Sequence, residues 1–179
     1  DVRKMRKVLG KYFGDVTFAD LKIPFRCVAS DMIGQSVVTL SEGNVADAVT
    51  ASSCIPALFK PVETGEMRLV DGGILERVPA QTVREMGADK VVAVDVLGRR
   101  EHGKKTYNAL RVLIEVVDIL STRIAGYRRE EGKKYIDLWL EPELGEMSEY
   151  SFRHFEEAYE SGYETGRAHA EEIAALIGK

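Results

Sequence analysis

Cysteine and histidine are scarce in this sequence, long apolar runs are missing, and no excess of positive charge stands out; each shortage removes a class of function. The two cysteines, Cys27 and Cys54, sit in apolar surroundings without the spacing of a disulfide framework or a zinc site. Buried, reduced thiols are the expectation. The three histidines, His102, His154 and His169, are scattered over a charged loop and a late helix with no H-E-x-x-H or similar spacing, so they read as solvated surface residues and no metal or cofactor is expected. A formal net charge of −4 argues against nucleic-acid binding, which normally requires a basic balance. No apolar run approaches the length of a membrane span, and no signal-peptide pattern opens the chain. A cytoplasmic location is the expectation. Internal repeats and low-complexity tracts are missing as well.

What is present is enough for one domain with a core: 179 residues, 45% hydrophobic and 30% charged. The chain opens on Asp1 and runs straight into a helical pattern, as a piece of a longer chain would. Val2, Met5, Leu9 and Tyr12 recur at helical spacing, with Arg3, Lys4, Arg6, Lys7 and Lys11 on the other faces and Gly14 as the stop. That basic surface is suited to anionic lipid headgroups, although a solvated face is the simpler reading. Strands are expected at Phe25–Ser30 and Ser36–Leu40, followed by a helix capped by Asn44 and ended by Pro56. Ser52, Ser53 and Cys54 at that helix end are nucleophile types. A nucleophile needs a base and a strained elbow, so close packing by small residues is the better reading.

The stretch Met67-Arg68-Leu69-Val70-Asp71-Gly72-Gly73 organises the rest. A short apolar run ends on a carboxylate, and two glycines let the backbone turn or approach a neighbour without a Cβ clash. Strand ends are where loops converge on ligands in sheets with helical crossovers. Asp-Gly is also a common turn pair, so the flanks must decide. Pro79 opens a short helix through Met86, closed by Gly87, and Val91–Val96 reads as a strand covered on both faces. Strand, helix and strand then form a parallel crossover. An exposed loop over 98–106, a long helix bearing Leu110, Leu113, Ile114, Val117, Leu120 and Ile124, a strand over Tyr135–Leu140, and a final helix from Ser151 complete the pattern. Gly162 and Gly166 in that last helix suggest close approach to another backbone.

Taken together, Ala46–Val62 (ADAVTASSCIPALFKPV), Leu69–Gly73 (LVDGG), Pro79 and Gly87–Val96 (GADKVVAVDV) resemble the patatin-like phospholipase family. Thr17–Leu21, Ile23-Pro24, Ala29-Ser30-Asp31 and the late Phe152–Gly166 segment match in order and spacing. The resemblance implies a three-layer α/β/α domain with a mostly parallel central sheet, of which residues 1–179 would be the C-terminal portion. It also implies hydrolysis of lipid or other acyl esters by a Ser-Asp dyad, with Asp71 as the base and Gly72 and Gly73 completing the motif. The family's G-x-S-x-G elbow and glycine-rich oxyanion loop do not occur in these residues, so no nucleophile is assigned. Each missing oxyanion donor is worth about 3 to 4 kcal/mol in acyl transfer, and the chain by itself is expected to be nearly inactive. The alternative is a non-catalytic α/β module that pairs with another polypeptide. Cutting a sheet exposes an apolar edge, so homo-oligomers or pairing with a missing N-terminal segment are expected partners, alongside a peripheral membrane contact.

Overall fold

The computed structural model describes residues 1–97, 108–145 and 154–178. The expected loop over 98–106 with His102, and the first residues of the expected last helix, lie outside the described residues. Helix α1 (Val2–Phe13) starts on Asp1, whose carboxylate accepts the Arg3 N–H at 3.0 Å, and stops at Gly14, φ 56°, a conformation that favours glycine. Its inward row is Val2, Met5, Leu9 and Phe13, half-buried where α1 packs on helix α2 (Val45–Ser52). Tyr12 does not join that row and is 82% exposed, because at about 100° per residue Phe13 continues it. Arg6 also turns inward, where it bonds Asp47 and, at 3.2 Å, Asn44. Asn44 in turn caps α2 by accepting the Asp47 N–H at 3.2 Å.

Strands β1 (Cys27–Asp31), β2 (Ser36–Leu40), β3 (Val62–Thr64) and β4 (Met67–Asp71) form one sheet in the order β2-β1-β4-β3. Every pairing in it is antiparallel. The α/β class holds, but the mostly parallel direction does not describe these strands. The connections β1–β2 and β3–β4 are tight local turns, which only antiparallel pairing accommodates. Parallel pairing occurs between β5 (Val92–Val94) and β6 (Leu138–Leu140), joined by helix α4 (Ala109–Gly132). The crossover is therefore β5–α4–β6 and not the expected unit through α3 (Ala80–Glu85), because β1 and β3 already occupy both edges of β4. Ala29, Ala51 and Leu69 centre the core, with Val38, Leu40, Val62 and Met67 packed around them.

Three further expectations change. Val91, Ala93 and Asp95 are buried, but Val92, Val94 and Val96 are 40–55% exposed, so among the described residues β5 is covered on one face. The strand expected over Tyr135–Leu140 begins at Leu138, because Lys133–Tyr135 form a 3-10 turn and the Asp137 carboxylate takes the Val91 N–H at 2.8 Å. In α5 (Phe155–Ala168), which leads into α6 (Ala170–Leu176), a Cβ at Gly162 or Gly166 would meet nothing within 4 Å. The close approach expected there does not occur among the described residues. His154 and His169 sit at and after α5, bonded to Glu157 and to the Thr165 carbonyl.

Helix α4 carries Val112, Leu113, Val116, Ile119 and Leu120 at 44–57% exposure. A contiguous apolar face of this kind promotes association. The melting midpoint of the isolated chain is expected to move with protein concentration in scanning calorimetry; a sharp, concentration-independent monomer transition would contradict this. Among the described residues no helix is long and apolar enough to cross a membrane.

Candidate active site

Asp71 ends β4, opposite Ala29 of β1 in the ladder. Side chains at paired positions share a face, so Asp71, Leu69 and Ala29 lie on the side of the sheet that α2 covers. The Asp71 N–H donates to the Cys54 carbonyl at 3.0 Å, which ties the strand end to the segment leaving α2. The carboxylate caps the 3-10 turn Gly72–Ile74, with Oδ1 accepting the Gly73 N–H at 2.8 Å. Oδ2 has no hydrogen-bond partner among the described residues. Burial raises the Asp71 pKa above the ordinary carboxylate value, opposed by the Gly73 hydrogen bond.

The two glycines have different roles. Gly72 is buried, and a Cβ there would lie 2.3 Å from the Val28 carbonyl oxygen and 2.8 Å from its carbon. Close backbone approach, rather than a left-handed φ, is what excludes a side chain at this position. Gly73 serves through its N–H, and a Cβ on it would press on Asp71 Oδ1 at 3.1 Å.

The small residues at the end of α2 are packed into the domain. Cys54 is wholly buried, and its thiol donates to the Lys60 carbonyl at 3.0 Å. Burial first, and then the negative charge of Asp71, push its pKa up, so it stays a neutral thiol beside the carboxylate. Cys27 is half-buried, and desolvation pushes its thiol up to about 11 despite a hydrogen bond with Ser52. Ser52 and Ser53 are half-buried at the helix end, and neither bonds Asp71. Ser30 lies one position from Asp71's partner in the ladder, but it faces the opposite side of the sheet.

Asp31 is the polar residue whose role the sequence did not disclose. Its Oδ1 accepts from Arg68 N at 2.9 Å and Ile33 N at 3.0 Å, and Oδ2 accepts from Gly34 N at 2.9 Å. The Arg68 bond first, then the others, hold its pKa below the usual range. An Asp three residues before a glycine at a strand end is the readable signal for such a turn. A separate cleft of about 320 Å³, lined by Glu76, Arg77, Asp95, Arg128, Lys134 and Trp139 among others, lies beyond the Gly72–Ile74 turn and does not include Asp71.

The fold and site thus define an α/β domain that seats a desolvated carboxylate on a glycine corner at a strand end. The model of the patatin-like phospholipase family matches residues 1–84 of the chain. It is similar to an uncharacterized NTE family protein of Mycobacterium tuberculosis, 34% identical over 93 residues, covering 52% of this chain and 16% of that protein. A second mycobacterial NTE family protein, from Mycobacterium bovis, is 34% identical over 85 residues, 48% of this chain and 24% of its own length. The mouse patatin-like phospholipase domain-containing protein 7 is 27% identical over 183 residues, covering 89% of this chain and 14% of that protein. The chain therefore spans only a minor part of each of these relatives.

Two measurements check this geometry. Gly72→Ala is expected to destabilise the domain by about 1–3 kcal/mol through overpacking against β1, read as a lower denaturant midpoint. For Asp71 the folded pKa lies above the unfolded one, so ionisation costs stability as pH rises through the folded value. Asp71→Asn should raise the denaturation midpoint at about pH 7, with the gain shrinking by about pH 3, where the wild-type carboxyl is protonated in both states. A variant less stable than wild type at neutral pH would contradict the desolvated seat.

Proposed function

We propose that this chain supplies the base of a Ser-Asp dyad that hydrolyses acyl esters, with lipid esters as the substrate class. The observation that carries the reading is the Asp71 carboxylate: one oxygen fixed by Gly73, the other without a partner among the described residues, and burial raising its basicity. An ordinary carboxylate is a weak base for a serine hydroxyl, so both the raised pKa and the fixed orientation matter. The match of residues 1–84 to the patatin-like phospholipase family model supports the substrate class.

The chemistry balances as a two-step acyl transfer. A serine oxygen held against Asp71 Oδ2 attacks the ester carbonyl carbon, and its proton moves to Oδ2. Collapse of the tetrahedral adduct breaks the ester C–O bond, and the leaving alcohol takes that proton. Water then repeats the sequence on the acyl-serine, with Asp71 again accepting and returning the proton. No serine hydroxyl among the described residues bonds Asp71 Oδ2. Because the sequence holds no G-x-S-x-G elbow or glycine-rich oxyanion loop, this reading assigns the nucleophile and the oxyanion donors to polypeptide beyond these residues.

A second reading, that the chain completes its structure by pairing with another polypeptide without catalysis, is favoured by the open faces of β5 and α4. In a longer protein containing these residues, Asp71→Asn and Asp71→Ala are expected to lower kcat by about a thousandfold with little change in KM. Normal turnover in either variant would remove Asp71 from the reaction. On the isolated 179-residue chain, a fluorophosphonate probe is expected to leave every serine unlabelled; covalent labelling would place a nucleophile inside it.

A further inference from the structure

Helix α1 carries five basic side chains and no acidic one, in a chain whose formal net charge is −4. The helix divides them unequally. Arg6 is turned inward onto Asp47 and Asn44, and Met5, Leu9 and Phe13 are half-buried on the side that packs against α2. The outer half presents Arg3, Lys4, Lys7 and Lys11, all exposed, together with Val8 at 52% and Tyr12 at 82% exposure. Arg3 pairs with Asp1 at 3.4 Å, whereas Lys4, Lys7 and Lys11 form no ion pair among the described residues.

Positions 4, 7, 8, 11 and 12 run along one side of the helix, so the lysines, Val8 and Tyr12 form a single stripe about 12 Å long. The Arg6 contacts and the half-buried inner row hold α1 on the domain with this stripe facing outward. Lysines on flexible stems suit an array of mobile phosphates at one depth. An exposed tyrosine and valine in their midst suit the boundary between headgroups and acyl chains, where an aromatic ring with a polar tip is favoured. A surface built only for a nucleic-acid backbone has no use for the exposed Val8, and the acidic balance of the chain as a whole opposes a polyanion that wraps it.

We propose that the outer stripe of α1 docks this protein on an anionic lipid surface, with Lys4, Lys7 and Lys11 on the headgroup phosphates and Val8 and Tyr12 at the interface. Docking of this kind places a lipid-acting domain against its substrate phase. It is read by binding alone, so its failure is separable from failure of the proposed hydrolysis.

The test is co-sedimentation of the full chain with vesicles of phosphatidylcholine, with and without phosphatidylglycerol, at low and high salt. Binding is expected only to the anionic vesicles and should weaken as salt screens the lysines. The triple variant Lys4→Gln, Lys7→Gln, Lys11→Gln should lose roughly a hundredfold in affinity. Tyr12→Ser should weaken binding while leaving its salt dependence intact. All substituted side chains are exposed, so circular dichroism is expected to stay unchanged and to separate docking from folding. Equal binding to neutral vesicles would assign the contact to the apolar face of α4 instead and overturn the proposal. So would a triple variant that binds like wild type, or tighter binding to duplex DNA than to anionic vesicles.

Discussion

The contact of Gly72 with the Val28 carbonyl is the constraint on which the site depends. A side chain at position 72 would drive β4 away from β1 at the very point where Asp71 leaves the sheet. With hydrogen there, the strand runs flush to its end. The Asp71 N–H then reaches Cys54, and the carboxylate turns back to cap Gly73. Burial of this corner raises the pKa of the carboxylate.

Asp31 and Asp71 show how environment separates two residues of one type at the ends of adjacent, paired strands. Asp31 collects three backbone N–H donors, which stabilise its charge and lower its pKa. Asp71 is half-buried with one donor, and desolvation outweighs that hydrogen bond and leaves it more basic than an ordinary aspartate. The first residue is suited to holding a turn, because its ionised form is deeply satisfied. The second keeps an oxygen without a partner among the described residues, as a general base requires.

Much of the local architecture is legible in the sequence because it depends on near neighbours. The Asn44 cap, the Gly14 and Gly87 stops, the Ser36–Leu40 strand and the glycine corner all follow from residues within a turn of one another. What is not legible depends on distant partners. The valines of β5 read as doubly covered because periodicity reports apolarity, whereas coverage depends on what else is packed there. The direction of the sheet escapes the sequence because nothing near β4 shows that β1 claims the edge that β5 would need. Tyr12 reads as inward because it shares helical spacing with Leu9 nearly as well as Phe13 does. Within the site, Asp71 and its glycines are readable, while the Cys54 contact is not, since it joins the end of α2 to a strand seventeen residues onward.

Carbon-detected NMR titration of the aspartate side-chain carboxyls tests most directly whether the fold holds Asp71 as an unusually basic carboxylate, with Asp31 as the internal contrast. Asp71 is expected to titrate above the ordinary value of 3.8 and Asp31 below it. If Asp71 titrated at or below the ordinary value, its carboxylate would be a solvated turn cap, and the reading of this corner as the seat of a base would be wrong.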